Sequence, residues 1–127
     1  MEEFAITLDQ VPEKVYHVVP ISLFEKYTNL DWVYDPRNRT DFGKDKPFVH
    51  TTPSIEQMNQ SLTYLKELTD REFYLLEIET RKLDHPKITY AQFQDRIYHH
   101  LWCALNIESY TKRVVKKDSK NEINLSL

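Results

Sequence analysis

The sequence predicts a small α+β domain, and three observations predict it. Stretches rich in β-branched and aromatic residues recur at Lys14–Val19, Phe48–Thr52, Glu72–Thr80 and Tyr110–Lys117. Apolar residues at helical steps of three and four mark Ile21–Tyr27 and Pro53–Leu68. Strands and helices in this order, with strands in excess, give an α+β chain built on a small split sheet, mixed or antiparallel, with a few helices.

Length and composition bound what the fold can do. A chain of 127 residues is one domain, large enough to bury about two-thirds of its unfolded surface without staples. A single glycine excludes Walker and Rossmann phosphate loops, which need several glycines for close backbone approach. The net charge of -3 argues against a dedicated nucleic-acid binder. One cysteine, Cys103, cannot form a disulfide within the chain and points to a reducing compartment. The acidic start Met1-Glu2-Glu3-Phe4 has no apolar run behind it, and no window approaches about 18 apolar residues. The expectation is a cytoplasmic domain with neither a nucleic-acid nor a membrane partner.

In chain order, residues 1–13 read as a lead-in closed by Pro12. Lys14–Val19 is a buried strand with His17 inside it, bounded by Pro20. Ile21–Tyr27 forms a short helix, with Asn29 as its stop. Asp31–Pro47 is a long charged loop of the kind that serves as a lid or binding loop, anchored by Trp32 and Tyr34. Phe48–Thr52 is an apolar strand ending at a polar corner, where Thr52 is the expected N-cap and Pro53 the first residue of a helix reaching Leu68.

Glu72–Thr80 is apolar on both faces at its start and belongs at the centre of a sheet. Lys87–Tyr90 is a short strand, and Ala91–Ile97 reads as a loop or one or two helical turns. Tyr98–Leu105 is compact and mostly apolar, and Asn106–Tyr110 makes one helical turn. Tyr110–Lys117 is a solvent-facing strand, which leaves a single domain over residues 14–117 and a polar, frayed tail over 118–127.

Three histidines stand where chemistry would use them: His17 in the first strand, His50 at the corner, and His100 in the aromatic segment. Histidine serves as acid, base or ligand near neutral pH, although an imidazole in an apolar strand is more often a hydrogen-bonded core residue. Three imidazoles can also hold zinc, but these lack a local H-x-x-x-H pair, and in an extended segment His99 and His100 point to opposite faces. Cys103, three residues after His100, is either the seed of a thiol–imidazole pair or a small buried hydrophobe. Lys112, Arg113, Lys116 and Lys117 are interleaved with valine rather than stacking aromatics, so they read as a solvated strand face.

Val15-Tyr16-His17-Val18-Val19-Pro20, Phe48-Val49-His50-Thr51-Thr52, Leu75-Leu76-Glu77-Ile78-Glu79 and Tyr98-His99-His100-Leu101-Trp102 occur in that order. Together they resemble the small bacterial proteins known as the domain of unknown function 952 family. That family carries Y-H-h-h-P near the start, F-I-H-x-S in the middle, L-L-x-I-D in the central strand and P-H-L-Y-G-P-L near the end. The resemblance covers residues 14–117. Thr52 replaces the family's Ser, His99 its Pro, Trp102 its Tyr, and Cys103-Ala104 its Gly-Pro.

The resemblance implies an ADP-ribosyltransferase-like fold, whose split sheet grips NAD in a central cleft. By position His17 resembles the residue that contacts the adenosine ribose in that superfamily. His50 with Thr52 resembles the group that holds the nicotinamide end. The superfamily's third motif usually supplies a glutamate; here the region offers His100, and Glu108 is not at a matching position.

The implied cleft is lined by Tyr16, His17, His50, Thr52, His100 and Trp102 and takes NAD or a nucleotide-like ligand. His17, His50 and His100 are the catalytic candidates, for glycosidic cleavage or ADP-ribosyl transfer, and Trp102 or Tyr16 would stack on a ring. The alternatives are a non-enzymatic interaction module working through the 31–47 loop and a three-histidine metal site.

Overall fold

Two antiparallel sheets carry the fold. The computed structural model describes residues 3–36, 48–60, 62–123 and 125. The elements are β1 (Phe4–Ala5), β2 (Lys14–Pro20), α1 (Ile21–Lys26), β3 (Val49–Thr51), α2 (Ile55–Gln60), β4 (Glu72–Glu79), β5 (Ile88–Phe93), β6 (Arg96–Leu101) and β7 (Tyr110–Lys116), with short 3-10 turns between them. One sheet has the order β1-β5-β6-β3 and the other β2-β4-β7. The expected α+β class is therefore what forms, with every named strand pair antiparallel. Of the 31–47 loop, residues 37–47 lie outside the described residues.

The sheets meet where Tyr16 and Thr52 exchange backbone hydrogen bonds of 2.8 and 3.0 Å. Alternation along β2 sends neighbouring side chains to opposite faces. Val15 and Val19 join Val49, Leu76, Ile78 and Leu101 in the main core. Tyr16 and Val18 point the other way, into a second cluster with Met58, Leu65, Phe73 and Leu75. β4 lies between β2 and β7 and is buried on both faces, as its apolar run requires.

Four expectations need correction. Residues 1–13 are not a mere lead-in, because Phe4 and Ala5 pair with Tyr90 and Thr89 as the sheet's outermost strand. Ala91–Ile97 is neither loop nor helix but the hairpin joining β5 to β6, turned at Gln94 with φ 58°. The helix expected over Pro53–Leu68 divides into α2 and a 3-10 segment, Leu62–Glu67. Its cap is Ser54, whose Oγ accepts the Gln57 N–H at 3.1 Å, while the Thr52 hydroxyl donates to the Ser54 carbonyl. Ser54→Ala is therefore expected to cost about 1 kcal/mol in urea unfolding, and Thr52→Ser much less.

The fourth correction concerns the tail. Its described part docks: Leu125 is buried, and its backbone N–H and C=O are clamped by the Asn59 amide at 3.2 and 3.3 Å.

Candidate functional site

Cross-strand register builds the site. Thr89 on β5, His100 on β6 and His50 on β3 are direct partners, so their side chains form one row across the four-stranded sheet. Val49, Thr51, His99 and Leu101 take the other face and are buried there. Glu3 stands two residues before Ala5, the partner of Thr89, which sets its side chain on the same face as the row.

The row is a directed hydrogen-bond chain. Trp102 Nε1 donates to Thr89 Oγ1 at 2.7 Å, and Thr89 Oγ1 donates to the Glu3 carboxylate at 2.7 Å. His100 Nδ1 donates to the same carboxylate oxygen at 2.6 Å. His100 Nε2 then meets His50 Nδ1 at 2.9 Å. Phe48 stacks on the His100 ring, with centroids 4.0 Å apart and planes 19° apart, and the His50 ring lies 4.9 Å from that of Tyr98. His100 is 3% exposed, so the imidazole end of this carboxylate–imidazole pair is shielded from solvent, while the Glu3 side chain is partly exposed.

His17 enters from the other sheet. Its Nδ1 lies 2.6 Å from the His50 carbonyl oxygen. A carbonyl can only accept, so His17 Nδ1 carries a proton and donates it there. The three histidines thus converge, but unequally: His100 touches the His50 ring, whereas His17 touches its backbone.

Burial chiefly, and then the charges of His100 and His17, push the His50 pKa down to about 4, with Glu3 pulling weakly the other way. His50 is therefore neutral around pH 7. One proton lies between His50 Nδ1 and His100 Nε2. When His100 is neutral, His50 donates and its Nε2 holds a lone pair. A proton taken up at His50 Nε2 can leave through Nδ1 to His100, where the resulting imidazolium faces the Glu3 carboxylate. Charge then accumulates on His100, and His50 stays uncharged. This is the carboxylate–imidazole logic of a triad, with a second imidazole at the reacting end.

The expected site residues divide. His50, His100 and Trp102 belong to one network, and His17 braces it. Tyr16 does not line it: its ring sits in the second cluster, and its hydroxyl reaches Glu77 at 3.4 Å. Thr52 is fully buried and spends its hydroxyl on Ser54. Glu3, Thr89 and Phe48 were not among the expected site residues, and Glu3 is the most consequential of them. Among the described residues no group of three or more His, Cys, Asp or Glu is arranged to hold a metal ion. The bonds to His50 and Glu3 also occupy both nitrogens of His100, one of which a three-histidine site would need. Cys103 packs in the main core.

No protein-family model matches the chain, and no curated protein matches it. The crystal structure of protein CC0527 from Caulobacter crescentus, a structural-genomics target, is similar in fold. It has a TM-score of 0.64 at 13% identity, over 87% of this chain and 93% of that one. At that identity the likeness carries a shared fold and says nothing of activity.

Proposed function

We propose that the Glu3–His100–His50 relay binds a nucleotide-like ligand of the NAD type and acts as a general base toward one of its hydroxyls or toward a bound acceptor. The observation that carries this reading is the continuous chain from the Glu3 carboxylate through His100 to His50, at 2.6 and 2.9 Å. A neutral imidazole backed through a neutral His100 by the Glu3 carboxylate is suited to take a proton near pH 7. Phe48, Tyr98 and Trp102 add ring surface beside it for stacking a base or nicotinamide.

An ADP-ribosyltransferase-like fold belongs to the same reading. It is supported by the split into two sheets joined at the β3 edge, the strand that carries His50. In this reading the relay stands where that superfamily uses a glutamate, and Glu3 acts through His100 rather than touching the ligand.

Calorimetric titration with NAD and with ADP-ribose tests it. The wild type should give saturable heat, His50→Ala should weaken binding about tenfold, and nicotinamide release should fall by about a hundredfold or more. An absence of heat with both ligands at millimolar concentration would remove the idea.

A further inference from the structure

A second constellation shares no residue with the relay. Tyr74 on β4 and Lys112 on β7 are diagonal neighbours on one sheet face, since Leu76 is the direct partner of Lys112. Phe24 from α1 packs against the same face, its ring edge-on to Tyr74 at 5.2 Å. Trp32 arrives from the segment after α1. The Lys112 ammonium lies 4.7 Å from the Tyr74 centroid, 4.8 Å from that of Trp32 and 5.3 Å from that of Phe24. Each distance is inside the range in which a cation is drawn to a ring face. Three rings around one ammonium form an aromatic box. It opens on a cavity of about 350 Å³ with Glu25, Thr28, Asn29 and Leu30 at its rim.

The box is held in place by its backbone. Trp32 has φ 60°, a conformation that a bulky residue takes only under constraint. Its N–H donates to the Asn29 carbonyl at 3.0 Å, and its own carbonyl accepts the Tyr110 hydroxyl at 2.7 Å. The Asn29 side-chain oxygen accepts the N–H groups of Asp31 and Val33 at 2.9 and 3.0 Å. Burial does not explain this placement, because Trp32 is 52% exposed and Leu30 beside it 99%. What the constrained turn achieves is to set an indole face over a cation.

We propose that this box is a binding site for a small organic cation of the quaternary or alkyl-ammonium class, with Lys112 as its displaceable resident. The cavity has the size of a small-molecule site. Among the described residues Lys112 forms no ion pair, and the contacts that hold its ammonium there are the three rings. That ammonium is strongly hydrated and rides on a flexible four-carbon stem, so it can swing to solvent. A methylated ammonium holds its water less tightly and gains more from the same three faces. The Glu25 carboxylate at the rim favours a cation over any other ligand charge.

The test is an NMR titration with tetramethylammonium chloride against sodium chloride at matched ionic strength. The readout is the indole N–H of Trp32, with Trp102 as internal reference. The wild type should show a saturable shift at Trp32 alone. Lys112→Ala, a change at an exposed position, should tighten binding about tenfold by emptying the box. Trp32→Ala should abolish it by calorimetry. The proposal fails if Lys112→Ala shows no saturable shift in the tens of millimolar, or if it binds no tighter than the wild type.

Discussion

Phe24→Ala is expected to remove about 3–5 kcal/mol of folding stability, the range for deleting a fully buried aromatic side chain. Phe24 is 1% exposed. It stacks on Tyr34 at 4.9 Å and meets Tyr74 and Tyr110 edge-on at 5.2 and 5.8 Å. These rings belong to three separately anchored segments, so they cannot close over the vacancy. Tyr34 is fixed to Leu105 by backbone bonds of 3.0 and 2.8 Å, while Tyr74 and Tyr110 stand on paired strands. In urea the midpoint should drop with the slope unchanged, and Tm should fall by roughly 10–20 °C. Phe24→Leu keeps most of the volume and should lose far less. A loss below about 1.5 kcal/mol for the alanine variant would mean that the segment after α1 collapses inward, and the account of its anchoring would be wrong.

Much of the fold is legible in the sequence where a segment declares itself locally. β2, β4 and β7 show β-branched, aromatic patterning between turn residues, and α1 shows Leu23, Phe24 and Tyr27 at helical spacing. The β5–β6 hairpin is hidden because its turn, Gln94-Asp95, lacks the glycine that ordinarily signals positive φ. The helix after β3 is overextended because its apolar stripe continues into a 3-10 segment with nearly the same spacing.

The site is legible only by halves. Motifs single out His17, His50 and His100, but their union depends on register, which no local pattern contains. Strand alternation already separates Tyr16 from His17, since adjacent residues face opposite ways; grouping them in one cleft ignores that rule. Glu3 leaves almost no trace. It lies 97 positions from His100 and precedes a strand of two residues, too short for any periodicity. The remaining cue is chemical: a buried imidazole row calls for a carboxylate, and the acidic stretch Glu2-Glu3 carries one.

Acidification should expose the relay directly. His50 titrates near 6.5 when unfolded and at about 4 when folded. Between those values the unfolded chain binds the extra proton, so stability falls as pH drops from about 6.5 to about 4 and is fully present above 6.5. At about 1.36 kcal/mol per unit of pKa, His50 alone accounts for a loss of about 3 kcal/mol. His99, also held down by burial and then by His100, acts in the same direction. Carboxylates add their own acid dependence, so the slope of stability against pH in His50→Gln is the comparison, whatever that variant's stability at pH 7. Its slope should be shallower over this window by His50's share.

Glu3→Gln should do the reverse at the site, because the Glu3 charge raises the His50 pKa. Its removal should carry the His50 imidazole resonance to still lower titration points by NMR. If His50 instead titrates near 6.5 in the folded protein, the acid instability has another source. A charged His50 would then be easily reached near neutral pH, and passing the proton on to His100 beside Glu3 would bring no advantage.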